Sequence, residues 1–387
     1  MNRVTIDLEK LRHNIKVIKG WMEGHEATWT VVTKVLCGHA DTLRALQLLG
    51  VRSMGDSRLA NLQAIEKIIP GFESWYLRVS DMSSVNQVAE MADVSLNSEI
   101  SVIKALNDEA RRLNKTHRIV IMIELGDLRE GILPGSLVAF YEKVFNLSNI
   151  EVIGIGANLG CLAGAVPNVD QFMQLALYRE LLELKFQKSL PMISGGSSSV
   201  LPLLIDGQLP AAINHFRIGE AIFLGTDLVN GGTLPDLKDD AIILEAEIAE
   251  IKEKGLVPSA EVGGMTPFEF SSTDRIPVPG QRGYRAIVSV GQLDTDIGGL
   301  TPKISDHKIA GASSDVTVVN IGDDAGGLKV GDSIRFRPNY AALLRLMSGK
   351  YIEKQITPSL DKFENLHQSD LLEVEPALEA VVEDDSE

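Results

Sequence analysis

Thr28-Trp29-Thr30-Val31-Val32-Thr33-Lys34, followed by Val35-Leu36-Cys37-Gly38-His39, is the stretch on which the fold turns. It is a short apolar, β-branched run that stops at a lysine, the pattern of a buried strand. A lysine ending such a strand points its amine into the mouth of a fold. Burial there lowers an amine's pKa and leaves it nucleophilic, able to hold an aldehyde cofactor as a Schiff base. Taken alone, a lysine at a strand end is an ordinary surface residue. The rest of the chain decides between the two.

Seven further β-rich runs follow, at residues 51–56, 73–79, 93–97, 119–124, 151–158, 191–197 and 216–224. Amphipathic stretches lie between them, at 41–49, 58–69, 98–113, 137–146 and 170–188. Eight strands with crossover helices predict an α/β fold, a (β/α)8 barrel of the TIM type, over residues 1–230. A doubly wound sheet is the competing architecture, because period alone does not show closure. After Gly231 the strands come without long helices, at 241–250, 285–290, 315–320 and 333–337, which predicts a mostly β domain over 231–360. Residues 4–7 are strand-like, precede the first helix (8–22), and are candidates to pair with that second domain.

The 387 residues suffice for two domains, and a 44% hydrophobic fraction can fill large cores. Two cysteines, Cys37 and Cys161, make no disulfide framework and suit a reducing cytoplasm. The first residues hold no apolar signal core. The longest uncharged stretch, 152–169, is Gly-rich and reads as strand plus loop rather than a membrane span. A net charge of −16 argues against nucleic acid. Residues 363–387 carry nine acids and no Lys or Arg, and the segment 361–387 is expected to be a disordered acidic tail.

In a barrel, functional groups gather at the C-terminal strand ends. Here those ends carry Lys34; the segment Glu124 to Gly131; Asn158; Ser194-Gly195-Gly196-Ser197-Ser198-Ser199; and Arg217-Ile218-Gly219-Glu220. Gly195 to Ser199 is a good phosphate cradle: glycines let the backbone approach an anion, hydroxyls add donors, and a following helix presents its positive end. Gly219 offers a further amide. No Walker motif or dinucleotide fingerprint competes for the phosphate.

These motifs, with Val32-Thr33-Lys34, Gly55-Asp56-Ser57-Arg58, Leu96-Asn97-Ser98-Glu99, Gly154 to Asn158, Gly291-Gln292-Leu293-Asp294-Thr295-Asp296, Gly311 to Asp315 and Tyr340, run in order along residues 3–355. Together they resemble the alanine racemase-like, fold type III pyridoxal-phosphate enzymes, and most of all the ornithine racemase branch. The resemblance implies an amino-acid racemase with pyridoxal 5'-phosphate as cofactor. Lys34 would hold the cofactor and act as one base. Ser197, Ser198 and Gly219, with Glu220 beside it, would bind the phosphate, and Tyr340 would donate its hydroxyl. Arg217 would face the pyridine nitrogen, Arg129 the phenolic oxygen, and Asn158 the ring. The family also implies a head-to-tail homodimer in which second-domain loops, with Gln292, Asp294, Asp296, Ser314 and Asp315, line the partner's substrate pocket. A carboxylate there would suit the distal ammonium of ornithine, or of lysine.

Two departures stand out. Gln292 occupies the loop where alanine racemases place a tyrosine on the second face, so the second base is open among Cys161, His39, Asp294 and a tyrosine such as Tyr284. Met122 replaces the lysine that many alanine racemases carbamylate. Both speak against simple alanine specificity, although a racemase for alanine or serine remains an alternative. A non-catalytic pyridoxal-phosphate homeostasis protein is another, and the second domain argues against it. His307 is the only His of the second domain, which disfavours a metal-dependent lyase, and Arg217 disfavours a decarboxylase. His13, His25, His117 and His367 lack metal-ligand spacing, no metal is expected, and His215 is expected to be a packed neighbour of Arg217. Cys37 and Cys161 follow strand ends and are expected to be small buried fillers.

Overall fold

The computed structural model describes residues 1–160, 164–257 and 280–371. The chain opens with strand β1 (Arg3–Asp7) and helix α1 (Leu8–Gly24). Asp7 caps that helix by accepting from the amides of Glu9 and Lys10, and Leu8, Leu11, Ile15, Ile18 and Met22 form its buried stripe. Strands and helices then alternate: β2 (Thr28–Val32), α2 (Ala40–Leu48), β3 (Ser53–Asp56), α3 (Leu59–Ile68), β4 (Glu73–Tyr76), α4 (Val85–Met91), β5 (Val94–Asn97), α5 (Ile100–Arg112) and β6 (His117–Met122). The series continues with α6 (Leu137–Val144), β7 (Ile150–Gly156), α7 (Val169–Phe186), β8 (Met192–Ser197), α8 (Leu201–Ile205), β9 (His215–Ile218) and α9 (Glu220–Leu224).

Strands β2 to β9 pair in parallel and close on themselves. The closing ladder runs from Thr28 opposite His215 to Val31 opposite Ile218. That ladder excludes the doubly wound alternative, in which no strand pairing closes the sheet on itself.

The barrel interior is divided. Trp75 on β4 stacks on His215 of β9, 4.6 Å apart and 11° from parallel, although the two strands are not neighbours; the contact crosses the interior. Trp75, Val94, Leu96, Val120 and Met122 make one apolar half. Thr30, Ser53, Ser194, His215 and Arg217 make a hydrogen-bonded polar half. The larger core lies outside the barrel strands, between them and the helices, and extends into the second domain.

There the strands are β10 (Ile242–Gly255), β11 (Arg282–Val288), β12 (Leu300–Pro302), β13 (Lys308–Ala312), β14 (Thr317–Gly322), β15 (Ser333–Pro338) and β16 (Glu353–Thr357), with helices α10 (Tyr340–Ser348) and α11 (Leu360–Leu371). The sheet order is β12-β15-β10-β11-β14-β13. Strand β1 joins it, antiparallel to β10 and parallel to β16.

Several boundaries differ from expectation. The first barrel strand ends at Val32 rather than Lys34. The eighth stops at Ile218, and 220–224, expected as strand, is α9. Ala-Ile-Phe-Leu is a short apolar run whose period does not distinguish strand from helix. Residues 361–371, expected to be disordered, form most of α11: Phe363 is fully buried, and His367 Nε2 lies 2.7 Å from Glu9 Oε1. Residues 372–387 lie outside the described residues. Among the described residues no helix is long and apolar enough to cross a membrane.

Candidate active site

Closure of the barrel sets the ends of β2, β9 and β8 side by side: Thr30 lies opposite Arg217, and Arg217 opposite Ser197. Lys34 is the first residue of a 3-10 turn (Lys34–Leu36) beyond β2 and is half-buried, not a fully buried strand terminus. The turn is anchored: the Thr33 amide donates to Gly55 O (2.9 Å) and its hydroxyl to Asp56 Oδ2 (3.0 Å). Cys37 closes it in the left-handed region, φ 49°. Helix α10, with Tyr340 as its first residue, packs on this turn. Gly219 ends β9 against β2, where a Cβ would stand 2.8 Å from Val32 O, so only glycine permits this approach.

At the end of β8 the chain enters a second 3-10 turn, Ser198–Val200. Ser197 and Ser199 share a hydrogen bond of 2.7 Å, Ser199 donates to Leu159 O, and the Ala221 amide of α9 donates to Ser198 Oγ at 3.2 Å. The serine turn is thus tied to Leu159 beyond β7 and to the start of α9. Gly195 and Gly196 have a packing cause beyond anion approach: a Cβ on Gly196 would meet the Phe216 ring at 2.0 Å, and one on Gly195 the Phe172 ring at 3.3 Å.

Arg217 is 6% exposed. Its guanidinium donates to Ser194 O (2.6 Å), Ser194 Oγ, Ala157 O (2.9 Å) and Asn158 Oδ1 (2.7 Å). An Arg can only donate, so the Ser194 proton turns to His215 Nδ1 at 2.7 Å. His215 then carries its proton on Nε2 and donates to Thr30 Oγ1 at 3.1 Å, which reaches Ser53 at 2.8 Å. Burial, with Arg217 nearby, pushes the His215 pKa down to about 3, so the ring is neutral. His215 is a packed neighbour of Arg217, as its sequence position suggests.

Beyond β6, residues 124–131 wrap around the Glu124 carboxylate, which accepts from the amides of Gly126 (2.5 Å), Leu128 (3.1 Å) and Arg129 (3.1 Å). Arg129 and its neighbour Glu130 pair through two hydrogen bonds, and Glu130 also accepts from Asn158 Nδ2. Met122 is fully buried in the apolar half of the barrel. The Glu220 carboxyl engages Thr226, and burial pushes its pKa up to about 7.

The second-domain residues form a cluster of their own. Gln292 and Leu293 amides donate to Ser313 O and Ser314 O, both at 3.0 Å, and a Cβ on Gly291 would meet Ser314 O at 2.3 Å. Asp294 accepts from the Gly291 amide (3.0 Å), and Asp315 accepts from Ser314 Oγ (2.6 Å). Asp296 precedes the 3-10 turn Ile297–Gly299, which contacts α10, and α10 in turn contacts the Lys34 turn. Of the second-base candidates, His39 bonds Thr42 through Nδ1 at 2.8 Å, Tyr284 sits on β11, and Cys161 lies outside the described residues. Among the described residues no group of three His, Cys, Asp or Glu could hold a metal ion.

The profile of the alanine racemase N-terminal domain matches residues 6–227. The chain belongs to this family. It is 36% identical over 359 residues to the ornithine racemase of Acetoanaerobium sticklandii, covering 92% of this chain and 99% of that protein. It is 32% identical over 362 residues to the lysine racemase of Thermotoga maritima, again covering 92% and 99%. Its fold matches the alanine racemase of Streptomyces coelicolor A3(2), with a TM-score of 0.70 at 17% identity over 92% of this chain and 98% of that one. It also matches the Bartonella henselae alanine racemase with covalently bound pyridoxal phosphate, with a TM-score of 0.67 at 14% identity over 92% and 99%. At these identities the structural likeness is one of fold.

Sequence reasoning gave Glu130 and Ser194 no role and placed Ser199 only in the phosphate cradle, although all three lie within the quoted motifs. Their partners, Asn158, Arg217 and Leu159, stand 28, 23 and 40 positions away. The signal was an acid and two hydroxyls at strand ends, whose distant partners no local pattern indicates.

Proposed function

We propose that this protein is a pyridoxal-phosphate-dependent amino-acid racemase acting on a basic amino acid, ornithine before lysine, in the cytoplasm. The observation that carries the reading is the β2–β9 closure, which puts an amine (Lys34), a glycine–serine cradle (Ser197, Ser198, Gly219) and a buried guanidinium (Arg217) on adjacent strand ends. Those are the donors an aldehyde, a phosphate and a pyridine nitrogen require, so the residues present fit the group. Family membership supplies the reaction class. The ornithine and lysine racemases, each similar along 92% of the chain, supply the preference for a basic substrate.

In this reading Ser197, Ser198 and Gly219 hold the phosphate with Tyr340, and the Gly219–Glu220 turn contributes backbone, since the Glu220 carboxyl is engaged with Thr226. Bound pyridoxal phosphate supplies an electron sink that acidifies the substrate Cα–H. Arg217, a guanidinium that keeps its protons, leaves a facing ring nitrogen unprotonated and the sink moderate, which limits side reactions. Arg129 would meet the phenolic oxygen and Asn158 the ring. The Lys34 amine moves the Cα proton on one face, and a second group returns one on the other. In a head-to-tail homodimer the partner's Gln292, Asp294, Asp296, Ser314 and Asp315 line the substrate pocket, and a carboxylate among them pairs with the distal ammonium.

The test is a chiral assay of the purified protein with added pyridoxal phosphate, offering L-ornithine, L-lysine, L-arginine, L-alanine and L-serine in parallel. D-ornithine or D-lysine should appear first, and Lys34→Ala should lose both turnover and the visible absorbance of the bound cofactor. Bound cofactor with no racemisation of any substrate would make the non-catalytic carrier the better account.

A further inference from the structure

We infer that Glu130 is a positioning residue of this site: its carboxylate ties Arg129 to Asn158, and through Asn158 to Arg217, so that one anion sets two guanidinium groups. The inference rests on the proposed site.

Glu130 sits well inside the loop, its side chain 12% exposed. Its carboxylate accepts from both Arg129 Nε and Nη2, the latter at 2.8 Å, in a two-pronged pair, and one of its oxygens also accepts from Asn158 Nδ2. Consecutive residues rarely face each other in this way. Here the backbone is bent for it. Leu128 is left-handed (φ 56°), Gly131 has φ 143°, and a Cβ on Gly131 would lie 2.3 Å from the Glu124 amide. The base of the loop is closed by an Ile123–Ile132 bridge, and its inside is filled by the Glu124 carboxylate.

The direction of the bonds makes Glu130 more than an ion-pair partner. A carboxylate only accepts and a guanidinium only donates. Asn158 lies between them, giving Nδ2–H to Glu130 and taking Arg217 Nη2–H on Oδ1 at 2.7 Å. A flipped carboxamide would set oxygen against carboxylate and N–H against guanidinium. Glu130 and Arg217 therefore fix the orientation of Asn158 from its two ends, and Glu130 supplies the half that also reaches Arg129. Asp127, 3.8 Å from Arg129 Nε, adds charge but stands beyond hydrogen-bond distance and gives no direction. Without Glu130, Arg129 would lose its two-pronged partner and the Asn158 amide end its acceptor, leaving Asn158 held from the Arg217 side alone, while Lys34 and the phosphate cradle stay in place.

The experiment compares wild type, Glu130→Gln, Asn158→Ala and the double variant, each loaded with pyridoxal phosphate. Three readouts are followed: the pH midpoint of the bound cofactor's visible spectrum, kcat and KM for the best substrate, and thermal unfolding. Glu130→Gln should retain the cofactor and its melting temperature. Its spectral midpoint should move to lower pH, because Arg129 loses its compensating anion. Its kcat should fall, by up to about 100-fold for a misplacement near 1 Å, with KM nearly unchanged. If Glu130 acts partly through Asn158, the loss on adding Glu130→Gln to Asn158→Ala should be smaller than in wild type. An unchanged spectrum and kcat, or strictly additive losses, would overturn the inference. Lys34→Ala separates the two levels: if it keeps the cofactor spectrum and turnover, the site itself is wrong; if it loses them while Glu130→Gln changes nothing, only the role of Glu130 is.

Discussion

Glu220 shows how one side chain gives the protein a pH dependence that no surface charge would. Its pKa rises from 4.5 to about 7 because burial disfavours the anion, only partly offset by Thr226. The folded state therefore keeps a proton that the unfolded chain releases near pH 4.5. This contribution to stability is full below that pH and is lost as pH rises through about 7. Glu220→Gln cannot ionise, so its melting temperature should fall less than that of wild type between pH 5 and pH 8; equal falls would show that another group governs the slope. Residues differ in how far the sequence exposes them. Lys34 and Arg217 stood out as candidates through the ordered motifs along the chain, not through their own neighbourhoods. Glu130 did not, since its carboxylate acquires meaning only when Asn158, on another strand end, comes within reach.

Among elements, the eight barrel strands announced themselves by short runs rich in β-branched, apolar or aromatic residues alternating with amphipathic stretches, whereas β12, β13, β16 and α10 did not. The three strands have three to five residues, and in each the pairing partner, not local propensity, settles the conformation. Helix α10 did carry a signal, Asn339 at its N-cap, accepting from the Ala342 amide at 2.9 Å. Asn339 also packs where a Cβ on Gly299 would come within 2.2 Å, and α10 lies on the Lys34 turn. Asn339→Ala should thus cost about 1 kcal/mol in a urea melt and also speed loss of bound cofactor. A stability loss with unaltered cofactor retention would mean that α10 supports the fold without supporting the turn.

On the scale of the whole molecule, the proposal that subunits share the site has a signature. A Lys34→Ala subunit and an Asp315→Asn subunit are each impaired as homodimers. Mixed under exchange, they should give heterodimers in which one of the two sites has every native residue. Recovery of up to about half of wild-type activity per heterodimer is expected; no recovery in verified heterodimers would place Asp315 outside the partner's pocket. Closure of the barrel, the step that builds the site, is the property least visible in sequence, because it depends on β2 meeting β9 across nearly two hundred residues. A still longer reach governs β1. Residues 3–7 leave the ribosome well before their partners, which on β10 begin at Ile242 and on β16 at Glu353. Through most of translation Val4 and Ile6, both fully buried at the end, wait with open edges on either side. Residues made early are thus enclosed late, and a change in β1 acts on the second domain rather than on the barrel that follows it in sequence.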